Sequence, residues 1–273
     1  MKKLFILALT VLFAVVLTAC GSDSKDKKSD DKTITVGASP APHAELLEQV
    51  KPILEKEGYK LSVKIINDYT TPNRLLNDGE LDANFFQHTP YLDTEKKEKG
   101  YKIQSAGNVH IEPMAVYSKK YKSLEELPEG AEVFVSNNPA EEGRFLSFFT
   151  EAGLIKLKAG VDPVKATFKD IAENKKNIKF NNKQAAEFLP KTYNNDEGDA
   201  VIINSNFALD NKLNPVKDSI ALEDKDSPYA NLIAVQEGHK DDAKIKALVK
   251  ALQSEEVQKF IEKNYDGAVI PAK

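Results

Sequence analysis

Arginine is scarce in this sequence: of 38 basic residues only Arg74 and Arg144 carry a guanidinium. Lysine serves the ordinary surface, so an arginine kept at one position points to a task an ammonium cannot perform. A guanidinium is a planar fork that grips a carboxylate through two parallel hydrogen bonds, whereas an ammonium is a point charge. Arg144 follows Asn137-Asn138-Pro139 and Glu141-Glu142-Gly143 in the first turns of a predicted helix. Free amides and the positive dipole end there also favour an anion. Arg144 is the candidate carboxylate clamp, with ion pairing to Glu141 or Glu142 as the plain alternative. On this reading Arg144→Lys weakens ligand binding and leaves ligand-free stability nearly unchanged. Arg74, on a helix predicted from Thr71 to Asp78, reads as structural.

A second cluster combines Asn67-Asp68-Tyr69 with Phe85-Phe86-Gln87-His88-Thr89-Pro90-Tyr91. On a strand Phe86 and His88 project to one face, and Tyr91 falls one turn into the following helix. Rings gathered at the carboxyl end of a strand occupy the place where open α/β sheets hold ligands. Packing in the core is the competing account for each ring taken alone.

Enzymatic chemistry finds little purchase. No Gly-X-Ser-X-Gly elbow or His-Glu-X-X-His helix occurs, so a hydrolase lacks its nucleophile or its metal. His43, His88, His110 and His239 offer metal ligands with carboxylates nearby, but they are scattered and no His-rich loop gathers them. A metal-binding lipoprotein is therefore the alternative reading, and no metal or cofactor is assigned. The formal charge of −4, from 38 basic and 42 acidic residues, implies no basic surface for nucleic acid.

These residues need elements to hold them. Thr33 to Gly37 alternates as a strand, Leu46, Leu47, Val50, Ile53 and Leu54 fall at helical spacing, and Leu61, Val63 and Ile65 alternate again. Thr71-Pro72 and Thr89-Pro90 open helices that Gly79 and Gly100 end, with a strand from Leu81 to Gln87 between them. Val109 to Tyr117 and Tyr229 to Val235 read as two apolar strands bracketing a second α/β stretch with a strand at Val133 and Val135, a helix from Pro139 to Ala152, a strand from Ala200 to Ile203 and a short helix from Asn204 to Leu209. One helix is predicted from Asp241 to Lys263. Strand and helix alternate at the pace of an α/β fold, with one lobe interrupted by another. The expected division is residues 33–116 with 233–273 as lobe 1 and 117–232 as lobe 2.

The amino terminus is of another kind. Lys2-Lys3 and the apolar run Leu4 to Ala19 have the layout of a secretory signal, and at sixteen residues the run falls short of the roughly 20 that span a bilayer. The sole cysteine, Cys20, closes Leu17-Thr18-Ala19-Cys20, which resembles a bacterial lipobox. Residues 1–19 are expected to be a cleaved signal peptide, Cys20 to become the lipidated first residue, and 20–32, with no apolar side chain after Cys20, to be a disordered tether.

Asn67-Asp68-Tyr69, Leu81 to His88 with Pro90-Tyr91-Leu92, Gly143-Arg144, Gly153 to Leu157 and Asp226 to Asn231, together with Val36-Gly37-Ala38 and Pro42-His43-Ala44-Glu45, resemble the motifs of the NlpA family of methionine-binding lipoproteins of ABC importers. The match runs in order through nearly all of residues 33–270. It implies a two-lobed type II periplasmic-binding-protein fold with the ligand in the interlobe cleft. It also implies an aromatic cage of Tyr69, Phe86, His88 and Tyr91, a clamp at Arg144 and amide contacts from Asn204 or Asn206 and from Asn231. The partners implied are methionine or a methionine-like amino acid, an ABC permease and ATPase complex, and the membrane through lipid on Cys20 at its extracytoplasmic face; a monomer is expected. A methionine-containing dipeptide is the alternative ligand. The chain departs from the family where relatives tend to show Asn-Asp-Pro-Thr-Asn before Gly-Arg: here the segment reads Asn137-Asn138-Pro139-Ala140-Glu141. It also has Asn206-Phe207-Ala208 where Asn-Tyr-Ala is common, and a more polar stretch from Phe180 to Glu197.

Overall fold

A computed structural model describes residues 32–272 apart from Asp226. The expected signal peptide, Cys20 and most of the tether lie outside the described residues. Among those described, no helix is long and apolar enough to cross a membrane.

Two sheets, each covered by helices, make a two-lobed α/β fold. The first sheet has six strands, β1 (Thr33–Ala38), β2 (Lys60–Ile65), β3 (Ala83–His88), β4 (Ile103–Ile111), β12 (Ala230–Gln236) and β13 (Ile270–Pro271), in the order β13-β4-β12-β3-β1-β2. The second has β5 (Ala115–Tyr117), β6 (Glu132–Ser136), β9 (Lys179–Gln184), β10 (Ala200–Ile203) and β11 (Ala221–Leu222), in the order β11-β5-β10-β6-β9. A separate ribbon pairs β7 (Ile155–Leu157) with β8 (Ile171–Asn174). The helices are α1 (Glu45–Lys56), α2 (Thr71–Asn77), α3 (Thr89–Lys99), α4 (Glu142–Glu151), α5 (Leu189–Asn194), α6 (Ser205–Asp210), α7 (Ala243–Leu252) and α8 (Glu255–Tyr265).

The period of two along the buried strands sorts their side chains onto two faces. Ile233 and Val235 join Ile34, Val36 and Phe85 under α1, α7 and α8, whereas Leu232 and Ala234 pack with Leu76, Leu81, Leu92 and Ile103 on the other side. The second sheet behaves likewise: Val133, Val135 and Ile202 meet Phe145 and Phe149 of α4, while Phe134, Val201 and Ile203 meet Leu189 and Phe207. Each sheet is covered on both sides, which is why central strands such as β10 and β12 read as nearly continuous apolar runs.

Two predicted elements divide. The strand expected from Val109 to Tyr117 is two strands in different sheets, because Pro113 has no amide to continue a ladder and the chain passes between the sheets at residues 112–114. The second passage, residues 223–229, precedes β12, which lies wholly in the first sheet. The passages thus fall a few residues before the expected lobe limits at 116/117 and 232/233. The helix expected from Asp241 to Lys263 breaks at Gln253-Ser254, where the Ser254 hydroxyl caps α8 by accepting from the amide of Val257.

One close approach seats the arginine helix. A Cβ at Gly143 would lie 2.3 Å from the Pro163 carbonyl oxygen and 2.8 Å from that of Val164. Both obstacles are backbone, so Gly143→Ala must push α4 away from residues 163–165. Such overpacking costs about 1–3 kcal/mol. Urea denaturation is expected to show that loss; an unchanged midpoint would contradict the contact.

Candidate functional site

Between the two sheets lies a cavity of about 380 Å³, counting space open to solvent. All eight residues singled out for ligand contact line it: Tyr69, Phe86, His88 and Tyr91, then Arg144, Asn204, Asn206 and Asn231. Arg74 does not; it lies on the surface 3.4 Å from Asp78.

The apolar wall is built from β3 and the turns beside it. Phe86, at the end of β3, stands edge-on to Tyr91 at 5.8 Å and tilted against Tyr69 at 5.8 Å. Tyr69 is held by a turn in which Asp68 Oδ1 accepts from the amides of Thr70 and Thr71, and by Tyr91, whose hydroxyl donates to the Tyr69 carbonyl at 2.8 Å. His88 caps α3: its Nδ1 accepts from the amide of Tyr91 at 3.3 Å. That bond fixes the tautomer, leaving the proton on Nε2, which faces Glu141 Oε1 across the cleft at 3.6 Å.

Beneath this wall, Asn73, Asn84 and Gln87 bond one another through their carboxamides and are buried, tying β3 to α2. Gln87 reaches the cavity lining, but its amide is committed to this network.

Arg144 is held differently from the expectation. Its Nε donates to Glu223 Oε1 at 2.9 Å and its Nη2 to Glu223 Oε2, so the two-nitrogen edge is already bound to a carboxylate of the chain. Nη2 also donates to the Glu112 carbonyl at 2.9 Å, and the guanidinium stacks 4.4 Å from the Tyr229 ring centre. Glu112 and Glu223 belong to the two passages between the sheets, and the amide of Met114 donates to Glu223 Oε2 at 3.0 Å. Burial opposes the Arg144 charge, but Glu223 and Glu141 more than compensate and hold its pKa above the usual value. Nη1 is the nitrogen left over, with Glu141 Oε1 at 3.8 Å.

The carboxamides are partly engaged. Asn204 Nδ2 donates to Glu141 Oε1 at 2.6 Å, and Tyr69 Oη donates across the cleft to Asn206 Oδ1 at 2.6 Å. Asn204 Oδ1 and Asn206 Nδ2 are buried without a hydrogen-bond partner among the described residues. Sheet register sets Asn231 beside His88 on β3 and His110 on β4. Its Oδ1 lies 3.0 Å from His43 Nε2, which is also 3.2 Å from Glu112 Oε1; a nitrogen between two acceptors carries the proton, so Asn231 offers Nδ2 to the cavity.

His43, His110 and Glu112 form a buried group whose donor atoms are close enough for a metal ion. His110 Nε2 is 2.7 Å from Glu112 Oε1, so both imidazole Nε2 atoms converge on one carboxylate oxygen. Those are hydrogen-bond separations, and they satisfy the carboxylate without a cation. Burial pushes His43 down to about 4 and His110 down to about 3, keeping both rings neutral, and pushes Glu112 up despite His43 and Arg144 nearby.

Sequence reasoning missed Glu112, Glu223 and His43 as parts of this site, and it named Glu141 only as a partner for Arg144. The engagement of Arg144 by Glu223 revises the expected effect of Arg144→Lys. An ammonium cannot bridge both Glu223 oxygens and the Glu112 carbonyl, so ligand-free stability falls by about 1–3 kcal/mol. Arg74→Lys, at an exposed pair, changes it by less than about 0.5 kcal/mol. Denaturant titration of the two variants measures the contrast, and equal effects would contradict it.

Comparison with known proteins agrees with this geometry. The family model described as NlpA lipoprotein matches residues 34–273. The chain is 52% identical over 273 residues to the methionine-binding lipoprotein MetQ of Bacillus subtilis, covering 99% of each. It is 39% identical over 270 residues to the D-methionine-binding lipoprotein MetQ of Escherichia coli, covering 98% of this chain and 97% of that one. Among solved structures, a nutrient-binding protein from Burkholderia cenocepacia bound to methionine superposes with a TM-score of 0.82 at 47% identity, covering 88% of this chain and all of the other. A putative methionine-binding lipoprotein from Bacillus subtilis superposes with a TM-score of 0.88 at 51% identity, covering 90% of this chain and all of the other. With the family model matched from the first strand to the last residue, and full-length relatives at this identity, the chain belongs to the NlpA lipoprotein family.

Proposed function

We propose that this protein is the substrate-binding component of an ABC importer, capturing methionine in the cleft and delivering it unaltered to a membrane permease. The observation that carries this reading is the composition of the cavity. It joins a wall of three rings to a polar floor with unpartnered carboxamide atoms, the two halves of a free amino acid with an apolar side chain. Sulfur near aromatic rings gains about 0.3–1.5 kcal/mol per contact, and Tyr69, Phe86 and Tyr91 suit an unbranched thioether. Arg144 Nη1 and the amides of Asn206 and Asn231 are donors for the carboxylate. The names of the relatives and the methionine-bound neighbour support the same ligand.

In this reading the lobes are residues 33–111 with 230–272, and 115–222, and they close over the ligand. The direct bond between Tyr69 and Asn206 already links them. Lipid on Cys20 holds the protein at the extracytoplasmic face of the membrane as a monomer. The metal alternative is weaker, since the Nε2 atoms of His43 and His110 are both within hydrogen-bond distance of Glu112 Oε1, although each Nδ1 is buried without a hydrogen-bond partner among the described residues.

Mass spectrometry of ligand released by denaturing the purified protein tests the assignment: methionine is expected, and a stoichiometric metal or a ligand of another class would refute it. The ring wall is tested by titrating methionine, its sulfoxide and leucine. Methionine is expected to bind tightest, since burying the sulfoxide oxygen unpaired costs about 1–3 kcal/mol. Phe86→Ala is expected to flatten that order as well as weaken binding. An intact ranking with lowered ligand-free stability would mean that Phe86 is core packing.

A further inference from the structure

Glu141 is the charged group around the cavity that the chain does not fully pair. Its side chain is 1% exposed. Oε1 accepts from Asn204 Nδ2 and Oε2 from Ser136 Oγ at 3.2 Å, leaving lone pairs of a carboxylate unused. Its cationic neighbours stand off: Arg144 Nη1 is 3.8 Å away, and that guanidinium has its bidentate edge on Glu223. His88 Nε2 lies at 3.6 Å, beyond a good hydrogen bond. Arg144 and Glu223 cancel, which leaves Glu141 and Glu112 as the acids of the cavity lining.

His88, then Arg144 and the Asn204 amide, outweigh its burial and keep its carboxyl below the ordinary range, so the group is anionic. A buried carboxylate whose nearest guanidinium nitrogen is 3.8 Å away, on a cation already bound to a second carboxylate, is only partly compensated. The nearby acceptor Asn204 Oδ1 is likewise unpartnered and lines the same cavity. Glu112, the other acid in the lining, is a poorer seat for a cation because one of its oxygens already faces two imidazoles.

We infer that Glu141, with Asn204 Oδ1 beside it, receives the ligand's ammonium and makes the site selective for a free, protonated amine. This rests on the amino-acid reading above and deepens it. Ligands lacking the amine, or carrying it acylated, leave Glu141 without its counter-charge and are rejected.

The test compares L-methionine with its desamino analogue, 4-(methylthio)butanoate, and with N-acetyl-L-methionine by calorimetry, in the wild type and in Glu141→Gln. The wild type is expected to favour methionine by about 100-fold or more. Glu141→Gln, which keeps the shape and the bond from Asn204, is expected to narrow that ratio to about 10-fold or less, mainly by losing methionine affinity. Glu141→Asn, which also removes the charge but with a shorter side chain, is the second variant and decides the matter where Glu141→Gln melts below the assay temperature. An unchanged ratio in a folded variant overturns the inference while leaving methionine binding standing. A wild type that binds neither methionine nor its analogues overturns the amino-acid reading itself, and this inference with it.

Discussion

The pairing of Arg144 with Glu223 is the interaction on which the cleft depends. Arg144 rises from α4 in the second lobe and Glu223 lies on one passage between the lobes, while the same guanidinium binds the Glu112 carbonyl on the other passage. One side chain therefore fixes both passages to the helix that borders the cavity. Lysine could supply the charge, but not the planar set of donors that reaches two carboxylate oxygens and a carbonyl together. This explains an arginine in a chain that otherwise uses lysine. It also leaves a single guanidinium nitrogen, Nη1, outside those bonds.

Around that fixed point the cavity is assembled from parts that constrain one another. The Nδ1 of His88 caps α3, and this directs Nε2 toward Glu141. The His43 proton holds the Asn231 carbonyl oxygen, and this turns the Asn231 amide to the cavity. The Tyr69 hydroxyl holds the Asn206 oxygen and leaves its amide free. Donors and acceptors are thereby sorted before any ligand arrives, which lowers the ordering cost of binding.

Much of this was legible from the sequence where the signal is local. Strand alternation, helix spacing and Thr-Pro starts predicted β1 to β3 and α1 to α3, and the run Phe86, His88, Tyr91 placed three rings at one strand end. The local signals failed where a single residue interrupts an apolar run. Pro113 sends the chain from one sheet to the other, and Ser254 starts a new helix. The ribbon of β7 and β8 and the edge strand β9 are short and polar, with no period to detect. The partners of Arg144 were invisible for a different reason. Glu223 is 79 residues from Arg144, and nothing marks it among 42 acidic residues until the fold brings them together. His43 and Asn231, 188 residues apart, form a pair of the same kind.

On the proposed function, the cleft is a preset frame which the ligand completes without dismantling it. A crystal structure of the protein with methionine tests this most directly. Both oxygens of Glu223 are expected to stay on Arg144, Nη1 to meet the ligand carboxylate, and the methionine side chain to lie among Tyr69, Phe86 and Tyr91. A bound methionine that draws the two-nitrogen edge of Arg144 away from Glu223, or that sits outside the cavity, would contradict it.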